Sequence, residues 1–521
     1  MEQNANIMRL AKPKMKGIWG LVFSRLLIVV VLIVLQVLLY LSFMIWLRQY
    51  IPHYAVIQIM FTVIMVLYLF NNRMDSTAKL TWLALIAVVP LLGAFLLMYT
   101  QTNIGHRATR SRVEQLIADT KNTLPQEGAV MEKLEGDVCG TDDLHRYLNR
   151  SGCFPIFDGT EVQYFPLGED KFAAMLAELE KAEKFIFMEY FILEEGYMWG
   201  RILDILVKKA KAGVDVRVMY DGTCEFSLLP HDYPKRLEAV GIKAKAFAPV
   251  TPFISTHYNY RDHRKILVSD GKVAFNGGVN LADEYINRKE RFGHWKDTAL
   301  MLRGKAVQSF TLMFLQMWNI SEKEPDFSPC LIPGDHFNAE GFVMPFGDCP
   351  LDEDKVGESV YMDILNRAND YVHIMTPYLI LDGELETALK YAAQRGVDVK
   401  IILPGIPDKK MAYSLAKSHY SALLDAGVKI YEYTPGFVHA KVFVSDGIKA
   451  VIGTINLDYR SLYHHFECGT YLYKTPCIAP IESDFANTLS KCRQVTRETV
   501  KNEKLSYKVM GSLMKIVAPL I

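Results

Sequence analysis

Two histidine-lysine pairs carry the chemistry open to this 521-residue sequence. His263-Arg-Lys-Ile-Leu-Val-Ser-Asp-Gly returns as His439-Ala-Lys-Val-Phe-Val-Ser-Asp-Gly. In each copy the His and Lys stand two apart at the head of an apolar, β-branched run, so a strand projects both from one face. A neutral imidazole can attack an electrophile, a charged one can give up a proton, and a lysine beside it can hold an anion. Asp270-Gly271 and Asp446-Gly447 follow as two-residue hairpin signals, and each return run ends in a Gly and an Asn at matching places, Gly277 and Asn280, Gly453 and Asn456. A specified position matches by chance about one time in twenty, so five positions recurring in register exclude coincidence.

Two His, two Lys and two Asn suit a phosphodiester. Lys265 and Lys441 would neutralise non-bridging oxygens, and Asn280 and Asn456 would donate to them, stabilising the charge on five-coordinate phosphorus. One imidazole would attack phosphorus while the other protonates the leaving oxygen. A covalent phosphohistidine divides the reaction in two, so the second substrate is water or an alcohol and the kinetics are ping-pong. Orienting carboxylates are offered by Asp297, in His294-Trp-Lys-Asp, and Glu467, in His464-His-Phe-Glu, each near the head of a strand-like run (298–302 and 470–473). Asp270 and Asp446 complete the repeated candidate catalytic motif, although their place in Asp-Gly turns suits a structural role better. The eight cysteines include no C-x-x-C pair and no Cys/His cluster at ligand spacing, so neither a disulfide framework nor a metal is expected, and no other cofactor is implied.

The elements that must position these residues also come in two copies. A helix over 171–182 and a strand over 184–193 are matched by a helix over 358–368 and a strand over 371–381. Val214-Asp-Val-Arg-Val-Met is echoed by Gly396-Val-Asp-Val-Lys-Ile-Ile, and Val240-Gly-Ile-Lys-Ala by Ala426-Gly-Val-Lys-Ile. Alternating helix and strand implies an α/β fold class: two tandem α/β/α sandwich domains, 161–320 and 353–500, related by a pseudo-two-fold. The Asp-Gly hairpins require mixed sheets. A proline-rich connection, 321–352, separates the domains, and 101–160 reads as a polar linker with a helix-like stretch over 111–121. The first copy carries an insertion over 249–261.

The first hundred residues read as an all-α membrane anchor. A basic lead (Arg9, Lys12, Lys14, Lys16, Arg25) precedes apolar runs at 26–47, 54–70 and 80–99, the last containing Pro90 and Gly93. The first run reaches the ~20 residues that cross a bilayer core. A cleaved signal peptide is a poor alternative, because the run is too long, lacks a small-residue cleavage site and is followed by further apolar runs. Positive-inside reasoning places the N-terminus in the cytoplasm, whereas Arg107, Arg110 and Arg112 after the third run argue against three crossings; two crossings with a re-entrant third segment reconcile them. A multi-pass protein of the cell membrane is expected. Residues 501–521, with Lys504, Lys508 and Lys515 among apolar residues, form a basic amphipathic helix that either lies on the bilayer or packs on the core. Basic and acidic residues balance at 58 each, so no basic field announces nucleic acid.

The duplicated H-x-K-x4-D with its following G-x-x-N resembles the phospholipase D superfamily. From about residue 20 onward the chain, including its apolar segments, Thr376-Pro-Tyr378 and Gly453-Thr-Ile-Asn-Leu-Asp-Tyr-Arg-Ser461, is similar to bacterial cardiolipin synthases. The resemblance implies metal-free transfer of a phosphatidyl group. His263 would take it from phosphatidylglycerol, with His439 protonating the departing glycerol; a second phosphatidylglycerol, deprotonated by His439, would then resolve the intermediate to cardiolipin. It also implies that each His pairs with the acid of the opposite half, His263 with Glu467 and His439 with Asp297. Asp297 lies farther past its Asn than Glu467 does, which leaves Glu284 and Glu290 as rivals. A hydrolase releasing phosphatidic acid and a phosphatidylserine synthase would use the same site. A nuclease is disfavoured by zero net charge and the anchor, and a non-enzymatic scaffold would need two complete His-Lys sets to be relics. Phosphatidylglycerol and membrane lipids, not nucleic acid, are the expected partners.

Overall fold

The computed structural model describes residues 7–11, scattered positions from 35 to 50, and 53–520 apart from 73, 75, 89, 102–106, 136–138 and 250–259. The first half contributes strands β1 (Glu161–Phe165), β2 (Phe185–Tyr190), β3 (Asp215–Asp221), β4 (Lys243–Phe247), β5 (Arg261–Asp262), β6 (Lys265–Ser269), β7 (Val273–Gly277), β8 (His294–Lys296) and β9 (Ala299–Arg303). The second contributes β10 (Phe342–Asp348), β11 (Tyr371–Met375), β12 (Asp398–Pro404), β13 (Lys429–Tyr433), β14 (Gly436–Val438), β15 (Val442–Ser445), β16 (Lys449–Gly453), β17 (His465–Tyr473) and β18 (Cys492–Gln494). The main sheets repeat one order, β1-β9-β7-β6-β2-β3-β4 and β10-β17-β16-β15-β11-β12-β13, with β18 added at the second edge. In each, the three strands farthest along that shared order are parallel and the others antiparallel. Both sheets are therefore mixed, and the duplication is visible in space.

The hairpins that hold the His-Lys strands form for a local reason. Asp270 and Gly271 have φ of 55° and 69°, and Asp446 and Gly447 have 53° and 67°. Left-handed backbone at both central positions is the type I′ turn, whose twist matches that of the flanking strands. Lys272 N donates to Ser269 O at 2.9 Å and Ile448 N to Ser445 O at 3.1 Å, closing both turns.

Three apolar cores stack around the sheets. Helices Gly168–Leu179 and Tyr197–Lys211 bury Met175, Trp199 and Leu203 against Ile186, Met188 and Val218. Helices Val356–Arg367 and Gly383–Gln394 bury Ile364 and Leu389 against Ile374 and Ile401 in the second half. Between the sheets, Phe310 and Phe314 of helix Val307–Trp318 and Ile481 and Phe485 of Ile478–Leu489 join Phe187, Val268, Val442 and Ile452 in one core. The two units thus share a hydrophobic interior.

Some boundaries differ from the sequence reading. The 101–160 stretch contains helices Arg107–Asp119, Gly128–Leu134 and Thr141–Gly152, whose Leu116, Leu134 and Leu148 are buried in the protein, so it is folded structure and not a linker. The 321–352 connection contains β10, an edge strand of the second sheet, where Pro345 is tolerated because an edge does not need every N–H. The 80–99 run is two helices, Ser76–Val88 and Pro90–Gln101, because Pro90 lacks the N–H that would continue the first and is suited to start the second. They fold back on each other so closely that a Cβ on Gly93 would lie 3.0 Å from Ile86 Cα.

Helix Tyr54–Asn71 packs Met65 and Leu69 on Trp82, Ile86 and Leu97 of this helical pair, leaving Ile59, Met60, Val63, Ile64 and Phe70 exposed. Among the described residues no helix is long and apolar enough to cross a membrane; the 26–47 run lies largely outside them. The C-terminal helix Leu505–Val517 packs along Lys410–Asp425, and Thr81 Oγ1 donates to its Ile516 carbonyl at 2.7 Å.

Candidate active site

Two very short parallel pairings, each between the halves, position the histidines. β5 lies beside the start of β17, with Asp262 opposite Phe466, and His263 N donates to Phe466 O at 2.9 Å. β14 lies beside β8, with Val438 opposite Lys296, and His439 N donates to Lys296 O at 2.7 Å. The next residue along each strand is therefore a histidine facing an acid of the other half. His263 Nδ1 is 2.8 Å from Glu467 Oε1, and His439 Nδ1 is 2.7 Å from Asp297 Oδ2. A carboxylate only accepts, so Nδ1 carries the proton and Nε2 keeps its lone pair. Glu284 instead accepts from Arg291 Nη1 at 2.8 Å, and Glu290 is exposed.

Lys265 and Lys441 are buried beside these rings, each Nζ donating to the carbonyl of its own histidine. Burial lowers Lys265 to about 8 and Lys441 to about 7, with the charge of Lys265 also disfavouring a second cation at Lys441. An anion between them would reverse that effect. Burial likewise depresses both imidazoles, His263 well below its ordinary value and His439 to about 4, with Lys265 and Lys441 respectively adding to the effect and the paired carboxylates opposing it. Both rings are therefore neutral near pH 7, the form a nucleophile needs. A ring that acts as a general acid must take its proton with the anionic substrate in place.

The remaining motif residues separate. Asn280 Oδ1 accepts from Ile192 N at 3.0 Å and its Nδ2 donates to Tyr285 Oη at 2.8 Å, whereas Asn456 is buried with Oδ1 unpartnered. Asp270 accepts from the backbone N–H groups of Glu183, Lys184 and Phe185, and Asp446 from those of Asn369, Asp370 and Tyr371, all at 2.7 to 3.0 Å. Both acids are occupied in pinning the start of the neighbouring strand to the hairpin turn, which corrects their place in the catalytic set.

Comparison with known proteins decides the family. Residues 175–318 and 361–489 match the model described as cardiolipin synthase, PLD-like domain. The chain belongs to the cardiolipin synthase family. Over 513 residues, 96% of this chain and all of the other, it is 33% identical to a cardiolipin synthase of Halalkalibacterium halodurans. An uncharacterized protein of Streptococcus mutans is 59% identical over 88% of this chain and 99% of its own length. The crystal structure of a phosphatidylserine synthase from Haemophilus influenzae shares the fold, with a TM-score of 0.56 at 14% identity over 73% of this chain and 97% of that one.

This member of the cardiolipin synthase family also has site residues that the motifs did not indicate. Thr454 Oγ1 donates to Glu467 Oε2. Tyr285 stands edge-on to His439, with ring centroids 5.3 Å apart, and Phe191 edge-on to His263 at 4.8 Å. His465 lies 5.3 Å from the His263 ring, buried, with neither ring nitrogen hydrogen-bonded. Thr454 and His465 had no signal beyond their nearness to Asn456 and Glu467. His263, His465 and Glu467 place ligand atoms within 4.8 Å of one another, a spacing that could hold a cation, although Glu467 is already engaged and Lys265 adds like charge.

Proposed function

We propose that this phospholipase D-superfamily enzyme is a cardiolipin synthase that moves a phosphatidyl group between two phosphatidylglycerols. The cross-paired imidazoles, each neutral and each held at Nδ1 by a carboxylate of the opposite half, are the observation that carries the reading. His263 Nε2 attacks phosphorus and the bond to the headgroup glycerol oxygen breaks. His439, which takes up a proton at Nε2 as the anionic substrate binds, gives it to that oxygen, and glycerol leaves. The neutral His439 then takes the proton from a headgroup hydroxyl of the second phosphatidylglycerol, whose oxygen attacks phosphorus as the P–N bond to His263 breaks. Cardiolipin is released and both rings regain their starting protonation. Lys265 and Lys441 balance the charge on the phosphoryl oxygens, and Asn456 Oδ1 accepts from a substrate hydroxyl. No metal or other cofactor takes part in this scheme.

Its lipid substrates suit a place at the cell membrane, and the exposed apolar faces around 56–70 support the reading of a multi-pass protein there. The test is product analysis with phosphatidylglycerol in liposomes. Cardiolipin and glycerol should appear one to one and both vanish with His263→Ala. Phosphatidic acid without cardiolipin would make the enzyme a hydrolase instead.

A further inference from the structure

A groove of about 480 Å³ runs between Tyr378 and the C-terminal helix, within the ~300–1,000 Å³ range of small-molecule sites. Its walls include Ile380, Met411, Leu415, Tyr459, Met514 and Ala518, so one wall is the C-terminal helix. Leu415, Tyr459, Met514 and Ala518 form a small buried core there. At the mouth stand the exposed cations Lys409 and Lys410. The inner end is Tyr378, whose hydroxyl donates to Asp408 at 2.6 Å and which lies within electrostatic reach of Tyr285, the ring edge-on to His439. Asp458, another lining residue, is only two positions beyond Asn456.

The groove continues onto an apolar exterior. Met411 is 51% exposed at its edge, and Val509, Leu513 and Ile516 of the C-terminal helix are at least half exposed. The same helix is tied to Ser76–Val88 through Thr81, so the groove lies next to the apolar N-terminal helices. An apolar trough with a basic mouth, open to an apolar surface, is complementary to a fatty acyl chain attached to an anionic headgroup.

We infer that this groove holds an acyl chain of the acceptor phospholipid, with Lys409 and Lys410 meeting its phosphate while its headgroup hydroxyl reaches His439. The inference rests on the transfer reading above. It assigns the groove to the acceptor and not to the donor because its Tyr378 end lies near Tyr285, the ring edge-on to His439, and its Asp458 acts on Lys441, so the groove leads toward the ring that handles the incoming hydroxyl.

Ala412→Trp would fill the groove from a partly exposed position, and Lys410→Glu would reverse a charge at its mouth. Each variant is assayed on phosphatidylglycerol vesicles for cardiolipin formation and for exchange of labelled free glycerol into phosphatidylglycerol, which reports the donor step without an acceptor chain. Cardiolipin formation should fall by about tenfold or more in Ala412→Trp, and severalfold in Lys410→Glu, with glycerol exchange within twofold of native in both. Equal loss of both reactions, or loss of neither, overturns the assignment. A native enzyme that performs neither reaction overturns the transfer reading, and the groove assignment with it.

Discussion

The two halves share a backbone plan but support their histidines differently. Aligned on their hairpins, Glu467 of one corresponds to Asp297 of the other, Thr454 to Gly278, and His465 to Trp295. The longer acid is held by a threonine hydroxyl, whereas the shorter one lies so close to Gly278 that a Cβ there would be 2.1 Å from Asp297 Oδ1. Beneath His263 lies a buried charged group, Glu189, Asp262 and Arg264, and Arg264 Nε donates to Glu467 O at 3.1 Å. Burial raises Asp262 to about 7 and Glu189 well above its ordinary range. The matching positions beneath His439 are the apolar Met375, Val438 and Ala440. Duplication therefore preserved the strand pairing that brings each acid to its histidine, while the surroundings diverged. That divergence gives the two rings different environments for different tasks.

The largest expected effect separates the tasks themselves. With phosphatidylglycerol, His263→Ala and His439→Ala should each abolish transfer. With a phosphatidyl ester of p-nitrophenol, whose leaving group needs no proton, His439→Ala should still release p-nitrophenol in a burst while His263→Ala releases none. The difference should be about 10²- to 10⁴-fold, the usual worth of general acid assistance. Equal loss in both variants would make the halves functionally alike.

Smaller effects test how the acids are supported. Gly278→Ala should push Asp297 off His439 and lower kcat by about a hundredfold or more, on the scale of a lost acid-base partner. Thr454→Val removes one hydrogen bond to a charged group, worth about 1.5–3 kcal/mol, so kcat should fall about ten- to a hundredfold. Steady-state kinetics on the two variants would rank them, and a harmless Gly278→Ala would refute the close approach at Asp297.

The lysines set a pH dependence. Lys441 at about 7 and Lys265 at about 8 are lowered by burial in the free site, so above these values they lose charge. Binding a tetrahedral dianion then requires proton uptake, and affinity should fall as pH rises from 7 to 9, by up to about tenfold per unit for each lysine involved. Titration with tungstate, read as protection against thermal unfolding, checks the sign. The smallest effect on activity is expected from Asp446→Ala, which removes the acceptor of three backbone N–H groups. The variant should melt at lower temperature yet keep a near-native kcat when folded.

Much of this was legible from side chains close in sequence. The Asp-Gly turns and the His-x-Lys spacing describe hairpins that form locally, and both sheets follow from helix and strand alternation. The supporting contacts were not legible, because β5, β8 and β14 are only two or three residues long and show no periodicity. Their partners lie in the opposite half, so nothing near His263 in sequence points to Thr454 or His465. The helix at 107–119 was legible over 111–121, whereas those at 128–134 and 141–152 were hidden by polar composition, since each buries only a narrow apolar stripe. Pro90 was plain in the sequence, but whether it kinks a helix or ends it depended on packing against Ile86.

The covalent step offers the most direct test of the division of labour between the halves. The enzyme is mixed with phosphatidylglycerol, quenched in alkali to preserve phosphohistidine, digested, and mapped by mass spectrometry. A phosphoryl-linked group on His263, absent from His263→Ala and turning over on the timescale of cardiolipin formation, is the expected result. The same group on His439, or cardiolipin formed with no modified histidine in either half, would contradict the account.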